Sequence, residues 1–252
     1  MSKNILFVLE GKRTEPRFLK KIVTLMRTFE DYKVFSYGTN LYKMLEGMFV
    51  DGEIDDDLDF IEYLKSSKTS DDDPNILNNR FSDVYLFFDM DPQDQMYDPD
   101  KLAKASLYFS DSTDNGKLCI NYPMFESLRH IPNLDDLSYM DIMVSKDDLT
   151  RYKEIVNEQG LASLSDISKI DEPTMIRIIM LNLQKSHMIL GHGQDMPTLI
   201  TYEARTSQQE LLSKQQEEYN ATGRLFVLNT CVFNAVDYNP ERFFNKIAAM
   251  NL

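Results

Sequence analysis

The sequence lacks several features that would define whole classes of protein. Among its 252 residues there is no tryptophan and there are only two cysteines, Cys119 and Cys231, which stand far apart and in no Cys-x-x-Cys pair. This pattern argues against a disulfide framework or a thiolate zinc site and indicates a reducing compartment. No apolar run approaches the roughly 18–20 residues of a membrane span, and the first run, residues 5–9, is too short for a signal-peptide core. We therefore expect a cytoplasmic protein without membrane association.

Positive charge is also scarce. The chain carries 27 Lys and Arg against 41 Asp and Glu, for a formal net charge of -14. A protein that binds duplex nucleic acid regardless of sequence normally carries an excess of positive charge. Any contact with nucleic acid must therefore be local, supported by bound cations, or supplied by a partner.

Two continuous apolar runs dominate the first half of the chain. One covers residues 4–9 and ends in Glu10 and Gly11; the other begins at residue 83 and ends in Asp89. Such runs are typical of parallel strands that are buried on both faces. Helical spacing follows from Thr14, the expected N-cap, and further strands are expected at residues 33–37 and 117–121. This alternation predicts an α/β fold with a mostly parallel sheet flanked by helices.

The pattern changes along the chain and suggests three parts: an α/β core at residues 1–130, a helical subdomain at 131–222, and a C-terminal strand and helix at 223–252 that return to the core. In the middle part we expect helices and no strand, with one of the helices at residues 161–170. The acidic segment 51–74 predicts a solvated helix with loops.

Glu10, Asp89 and Asp91 form the strongest candidate site. Residues two apart on an extended strand point to the same face, so Asp89 and Asp91 can converge. The carboxyl ends of parallel strands line the crevice in which α/β proteins bind ligands, and Glu10 ends a strand in the same way. Three crowded carboxylates need a cation or a proton, and oxygen ligands suit Mg²⁺ or Mn²⁺. The alternative is that these acids only terminate buried strands at the solvent edge.

Other acidic and basic groups allow two interpretations each. Lys12 and Arg13 open a helix, where they could anchor a phosphate or form a solvated basic turn. Glu15 is either an additional metal ligand or a favourable acid in a first helical turn. The carboxylates from Asp51 to Glu62 have the spacing of a calcium loop, but Asp56 stands where that loop needs glycine, so a solvated acidic face is the preferred interpretation.

Three short motifs follow predicted strands in order along the chain. The run from Glu10 to Glu15 leads into Phe18 and Leu19, Asp89-Met90-Asp91 has the form Asp-x-Asp, and residues 121–126 read Asn-Tyr-Pro-Met-Phe-Glu. Together they resemble the motifs of Toprim domains, and of RloB-like Toprim proteins in particular. The third motif departs from the Asn-Pro-x-Phe-Glu segment of those proteins because Tyr122 intervenes. The resemblance covers about residues 4–130.

The resemblance implies a Toprim fold that uses Mg²⁺, or Mn²⁺, to cleave phosphodiester bonds in RNA, tRNA included, or in DNA. Glu10 would be the general acid/base or a metal ligand, and Asp89 and Asp91 would hold the metal. Glu126 would support the site. Because the net charge is -14, such a nuclease would need a basic groove from Lys12, Arg13, Arg80, Arg129 and their neighbours, or from a partner protein.

The resemblance also implies a setting for this activity. RloB-like proteins are regarded as toxic effectors of anti-phage defence, encoded beside an ABC-type or AAA-type ATPase. This sequence has no P-loop signature, so the ATPase would be a separate protein. A homodimer or an ATPase-bound complex is a further expectation from the family.

Two other functions fit parts of the sequence. A strand that ends in Asp89-Met90-Asp91 is also the opening motif of haloacid dehalogenase-type phosphatases, although Gln93 stands where they usually have Thr or Ser. The other alternative is a non-catalytic adaptor or regulator that presents its acidic surface to a basic partner.

Overall fold

The computed structural model describes residues 4–29, 31–55, 57–67, 74–205 and 207–250. The strands are β1 Asn4–Leu9, β2 Asp31–Ser36, β3 Phe49–Val50, β4 Glu53–Ile54, β5 Asp83–Asp89, β6 Ser110–Asp111, β7 Gly116–Tyr122, β8 Met143–Ser145, β9 Arg224–Phe226 and β10 Leu228–Asn229. The α-helices are α1 Thr14–Met26, α2 Leu41–Glu46, α3 Phe60–Ser66, α4 Pro99–Tyr108, α5 Tyr152–Gln159, α6 Glu172–Ile189, α7 Leu199–Arg205, α8 Gln208–Thr222, α9 Asn234–Asp237 and α10 Pro240–Ala249. Short 3-10 turns, among them Phe125–Arg129, connect several of them.

The central sheet has the strand order β10-β7-β5-β1-β2, with β6 paired to the outside of β7. The β1–β2, β1–β5 and β5–β7 pairs are parallel, whereas β10 and β6 run antiparallel to β7. The prediction of an α/β fold with a mostly parallel sheet flanked by helices is therefore confirmed. After β2 the chain crosses back over β1 to form β5, so the strand order reverses between β1 and β5.

Both apolar runs form strands at the centre of this sheet, because their side chains on both faces find apolar partners. Phe7 on β1 stacks on Tyr85 of β5 with ring centroids 5.4 Å apart and meets Phe87 edge to face at 5.5 Å. Aromatic pairs of this kind add about 0.5–1.5 kcal/mol to the energy of area burial. The packing fixes the register of β1 and β5, and with it the relative position of the residues that follow each strand.

Helix α1 joins β1 to β2 and packs an apolar face that includes Phe18 against the core. Phe18 meets Phe125 edge to face at 5.5 Å, which ties the helix to the turn that follows β7. The predicted N-cap, Thr14, is instead the first residue of the helix. Arg13 occupies the N-cap position and makes no side-chain hydrogen bond there.

The structure corrects two expectations for the region from 131 to 222. The predicted helix at 161–170 is instead a pair of 3-10 turns, Ala162–Leu164 and Ile167–Lys169, because the Asp166 carboxylate accepts a hydrogen bond from the Ser168 amide and diverts the backbone from helix. The expected absence of strands is also wrong, since β8 pairs with β9. Apolar residues of this region and of the sheet belong to one continuous core.

The acidic segment that begins at residue 51 forms a hairpin followed by α3, and not a helix with loops alone. Residues 56 and 68–73 lie outside the described residues. Asp51 occupies the turn between β3 and β4, Glu53 pairs with Lys104, and the Asp59 side chain caps α3. These carboxylates therefore serve different elements and do not form the helix-loop-helix geometry of a calcium loop.

The described residues include no helix that is both long enough and apolar enough to cross a membrane.

Candidate metal centre

The candidate site lies at the carboxyl ends of β1 and β5, where the strand order of the sheet reverses. Such a switch point opens a crevice, because the connections after the two strands leave toward opposite sides. Glu10 follows β1 directly, and Asp89 is the last residue of β5. Asp91 follows two residues later. One carboxylate oxygen from each of the three lies within 4.8 Å of the others.

Backbone contacts hold Glu10 in this position. Its amide donates to the carbonyl of Phe87 (3.1 Å), and its carbonyl accepts from the amide of Gly38 (3.1 Å). The side chain is held as well, since the Asp89 amide donates a 3.1 Å hydrogen bond to Oε2 of Glu10. Hydrogen bonds therefore hold both the backbone and the carboxylate of Glu10 in place.

Asp89 is oriented by the neighbouring strand β7. Asn121 is its partner in the β5–β7 register, and Nδ2 of Asn121 donates to Oδ1 of Asp89 at 3.0 Å. The amide of Phe125, in the turn after β7, also hydrogen-bonds the Asp89 carboxylate. The segment 121–126 thus supports the site through an amide side chain and a backbone donor.

Asp91 reaches the cluster through an unusual backbone conformation. Its φ of 39° lies in the left-handed region, which costs a non-glycine residue energy. Its amide donates to the carbonyl of Pro123 (3.0 Å), and Oδ1 accepts from Nε2 of Gln93 (2.9 Å). This bend, and not a continued extended strand as expected from the sequence, turns Asp91 toward Asp89.

The electrostatics of the cluster favour a cation. Burial raises the pKa of Glu10 to about 8, and the charges of Asp91 and Glu15 add to this rise. Burial, with the charge of Glu10, raises the pKa of Asp89 well above its usual range, and burial also raises the pKa of Asp91. The pKa is therefore raised at all three carboxyl groups, so each binds a proton more readily than a free carboxylate, and a positive ion among them would offset the same repulsion.

Glu15 adds a fourth carboxylate that the sequence analysis left open between two roles. It is buried in the first turn of α1, and its carboxylate accepts a hydrogen bond from the amide of Gly11. A Cβ built on Gly11 would overlap this carboxylate, so glycine is required there by close approach. Burial raises the pKa of Glu15.

Lys153 on α5 is a cation at the site that no sequence motif predicts. Its Nζ lies 3.2 Å from Oε1 of Glu126, in the turn after β7, and its charge lowers the pKa of Glu10, Glu15 and Asp91. Burial opposes the charged form of Lys153, but Glu126 and the aspartates hold its pKa above the usual value. No motif points to a lysine 62 residues after Asp91, since only the tertiary fold brings α5 to this edge of the sheet.

These groups line an open cleft of about 640 Å³. Besides Lys153, its walls include seven acidic and basic residues: Glu10, Lys12, Arg13, Glu15, Asp89, Asp91 and Glu126. The cleft thus brings together the predicted catalytic and metal-binding residues with two of the three predicted substrate-binding residues. The third, Arg129, lines an adjoining cleft of about 750 Å³ together with Thr14 and Glu126.

The expectation that Arg80 contributes to a groove at this site is wrong. The carbonyl of Arg80 accepts a 2.8 Å hydrogen bond from Nδ2 of Asn4, the first residue of β1. Arg80 therefore lies at the amino edge of the sheet. Strand β5, seven residues long, separates it from Asp89 by roughly 20 Å.

The donor set fits a hard divalent cation. The convergent oxygens come from carboxylates, which Mg²⁺ and Mn²⁺ prefer, and the surrounding cleft leaves room for water ligands that Mg²⁺ retains. Of the residues that the structure describes, Glu10, Asp89 and Asp91 are the only group of three acidic, histidine or cysteine side chains close enough to share one ion.

Comparison with known proteins gives no relative: no protein-family model, no curated protein and no solved structure matches this chain.

Proposed function

We propose that the protein is a Mg²⁺-dependent nuclease of the Toprim type, which cleaves phosphodiester bonds in RNA, including tRNA, or in DNA. The observation that carries the proposal is the convergence of Glu10, Asp89 and Asp91 at the switch point of a parallel sheet, beside a lysine. This arrangement agrees with the roles that the Toprim resemblance implies for the three residues. Mn²⁺ is an alternative ion for the same ligands.

Each side chain has a role in the proposed reaction. A divalent ion bound there would stabilise charge on the non-bridging phosphate oxygens and activate water. Asp89 and Asp91 would hold the ion, with the Asp89 carboxylate oriented by Asn121. Glu10 would act as a metal ligand or as the general acid/base, since its pKa of about 8 lies close to the operating pH of such a group.

The positive groups of the cleft would bind the substrate phosphate. Lys153 is held next to Glu126 and faces the same cleft, so it would meet the negative charge that develops on the phosphate in the transition state. Lys12 and Arg13 line the same cleft just before α1, where helix amides also favour a phosphate.

The proposal includes a biological setting, taken from the RloB-like motifs. The nuclease would be the toxic effector of an anti-phage system and would act together with a separate ABC-type or AAA-type ATPase, as a homodimer or an ATPase-bound complex. With a net charge of -14, such an effector has little general attraction to nucleic acid. It would therefore depend on a partner to bring it to its substrate, and this dependence would restrain its toxicity.

The test compares purified wild-type protein with Glu10→Gln and Asp89→Asn in cleavage of labelled tRNA, mixed RNA and single-stranded DNA with Mg²⁺ or Mn²⁺. Both substitutions nearly preserve shape and remove charge, so we expect folded proteins with activity reduced at least 100-fold. An adaptor would leave both variants equal to wild type in every assay and in toxicity. A haloacid dehalogenase-type phosphatase would hydrolyse p-nitrophenyl phosphate, lose this activity in Asp89→Asn and largely retain it in Glu10→Gln.

A further inference from the structure

The cleft that adjoins the acidic site is lined mainly by positively charged side chains. Its wall on α1 carries Arg17, Lys20 and Lys21, and Arg129 stands across from them. Two acids, Glu126 and Asp166, line the same cleft. In a chain with a net charge of -14, four cations around one cleft of about 750 Å³ form a local basic surface.

The sequence of α1 places these cations on one face. Arg13, Arg17, Lys20 and Thr24 recur every three or four residues, which aligns them along the helix opposite the buried Phe18 face. From Thr14 to Thr24 the helix rises by ~15 Å. This length matches about four nucleotides of a strand that keeps the stacked geometry of a duplex, with a rise of about 3.4 Å per nucleotide.

Most cations of this cleft have no carboxylate partner among the described residues. Neither Arg17, Lys20 nor Arg129 forms an ion pair with any residue that the structure describes, and Lys21 donates to the carbonyl of Ser168 (2.8 Å). Most other surface lysines have a carboxylate partner, for example those of the pairs Lys43–Glu46, Lys65–Glu62, Lys104–Glu53 and Lys214–Glu217.

The basic cleft is continuous with the candidate metal centre. Thr14 and Glu126 line both clefts. A smaller cleft of about 350 Å³, which includes the Arg151–Glu154 ion pair, shares Gln93, Met124 and Lys153 with the acidic one. A strand that follows the basic cleft therefore leads directly into the cleft of the three carboxylates.

We propose that the basic cleft of α1, formed by Arg17, Lys20, Lys21 and Arg129, binds the phosphate backbone of about four nucleotides on one side of the scissile phosphate. This inference rests on the proposed nuclease function, and it names a binding surface for the substrate strand. Phosphate contacts of this kind position a strand without reading its sequence. They would attract the nucleic acid locally, although the net charge of the whole protein is negative.

The test measures binding of fluorescein-labelled 12-nucleotide single strands of mixed sequence, as RNA and as DNA, by anisotropy across a salt series. All proteins carry Asp89→Asn so that the probe stays intact. The test variant is Arg17→Gln/Lys20→Gln. The matched control, Lys33→Gln/Arg224→Gln, removes the same two charges from exposed positions that line neither cleft. A third variant, Arg17→Lys/Lys20→Arg, keeps the charge.

We expect the test variant to bind at least one of the probes roughly 10–30-fold more weakly at 0.1 M salt, and the slope of log K against log salt to fall by about 1.4, since each phosphate contact to a single strand contributes about 0.7. The control and the charge-keeping variant should bind like the Asp89→Asn parent. Thermal unfolding midpoints within the experimental error of the parent would exclude misfolding as the cause.

Two results would overturn the inference: equal binding and equal salt slope in the parent and the test variant, or no binding of either probe to the parent. Failure of the nuclease proposal is a separate result. If calorimetry finds no Mg²⁺ site in wild-type protein and no nucleic acid is cleaved, while Arg17→Gln/Lys20→Gln still abolishes probe binding, the basic cleft stands as a binding surface and the nuclease proposal falls.

Discussion

The amide of Asp89 donates a 3.1 Å hydrogen bond to the carboxylate of Glu10, across 79 positions of sequence. This bond joins the end of β5 to the residue that ends β1, and it holds two carboxylates together that would otherwise repel each other. The bond stabilises the charged form of Glu10, but burial outweighs it and leaves the pKa at about 8. The chain thus maintains an unfavourable electrostatic arrangement, which is expected where function requires it.

The first prediction concerns Gly11. Replacing it with Ala would push the buried Glu15 carboxylate out of its place, because the new Cβ overlaps it. We expect the free energy of unfolding to fall by about 1 kcal/mol. This value is at the low end of the usual cost of overpacking, because the Glu15 carboxylate can rotate away from the new Cβ. Chemical denaturation measures this loss. In a Glu15→Ala background the same Gly11→Ala change should cost almost nothing, and an equal cost in both backgrounds would show that Glu15 is not the cause.

The second prediction concerns stability and pH. A free glutamate titrates near 4.5, whereas Glu10 in the folded protein titrates near 8. Between these values the folded state binds protons that the unfolded state does not, so the stability that this group contributes is full below pH 4.5 and is lost as pH rises toward 8. We expect the metal-free protein to unfold at lower temperature at pH 8 than at pH 5.5, by about 2–4 °C for each kcal/mol lost.

Two comparisons check this assignment. The Glu10→Gln/Asp89→Asn variant should show a much smaller fall between pH 5.5 and 8, because Glu10, whose pKa is about 8, and the neighbouring carboxyl group of Asp89 are both gone. Added Mg²⁺ should stabilise wild-type protein more at pH 8 than at pH 5.5, since protons compete with the ion for the same oxygens. An identical pH profile in variant and wild type would contradict the raised pKa values as its source.

The third prediction concerns Lys153. Changing it to Gln removes the positive charge next to Glu126 and among the acidic residues. We expect the cleavage rate to fall roughly 10–100-fold while Mg²⁺ still binds, because the ligands remain and a repelling charge is lost. Lys153→Arg should retain most of the rate. Loss of Mg²⁺ binding in Lys153→Gln, with the fold intact, would mean that the lysine organises the ligands instead of meeting the phosphate.

The sequence was sufficient to locate Glu10 and Asp89, because each ends an uninterrupted apolar run and the direction of parallel strands brings such residues to one edge. Asp91 was located by its spacing from Asp89, but the bend that turns it toward the cluster was not predicted. The same logic excludes Arg80, which precedes its strand. Lys153 could not be predicted in this way, since its position depends on how α5 packs against the turn after β7.

Short elements were the other source of error. Strand β8 has three residues and pairs with β9 about 80 positions later, so it leaves no periodic pattern. The apolar spacing in 161–170 indicated a helix, but hydrogen bonds from the Ser168 amide and hydroxyl to Asp166 compete with helical ones. Local polar contacts of this kind override hydrophobic spacing over short stretches.

The central claim is that the three carboxylates bind one divalent ion. Isothermal titration calorimetry with Mg²⁺ and Mn²⁺ on wild-type protein and on Asp89→Asn/Asp91→Asn tests it directly, with the Asp51→Asn/Glu53→Gln variant as a control for acidic residues elsewhere. We predict one site per chain in wild type and in the control, and none in Asp89→Asn/Asp91→Asn. Equal binding by wild type and Asp89→Asn/Asp91→Asn would contradict the account and leave the proposed catalytic roles without a physical basis.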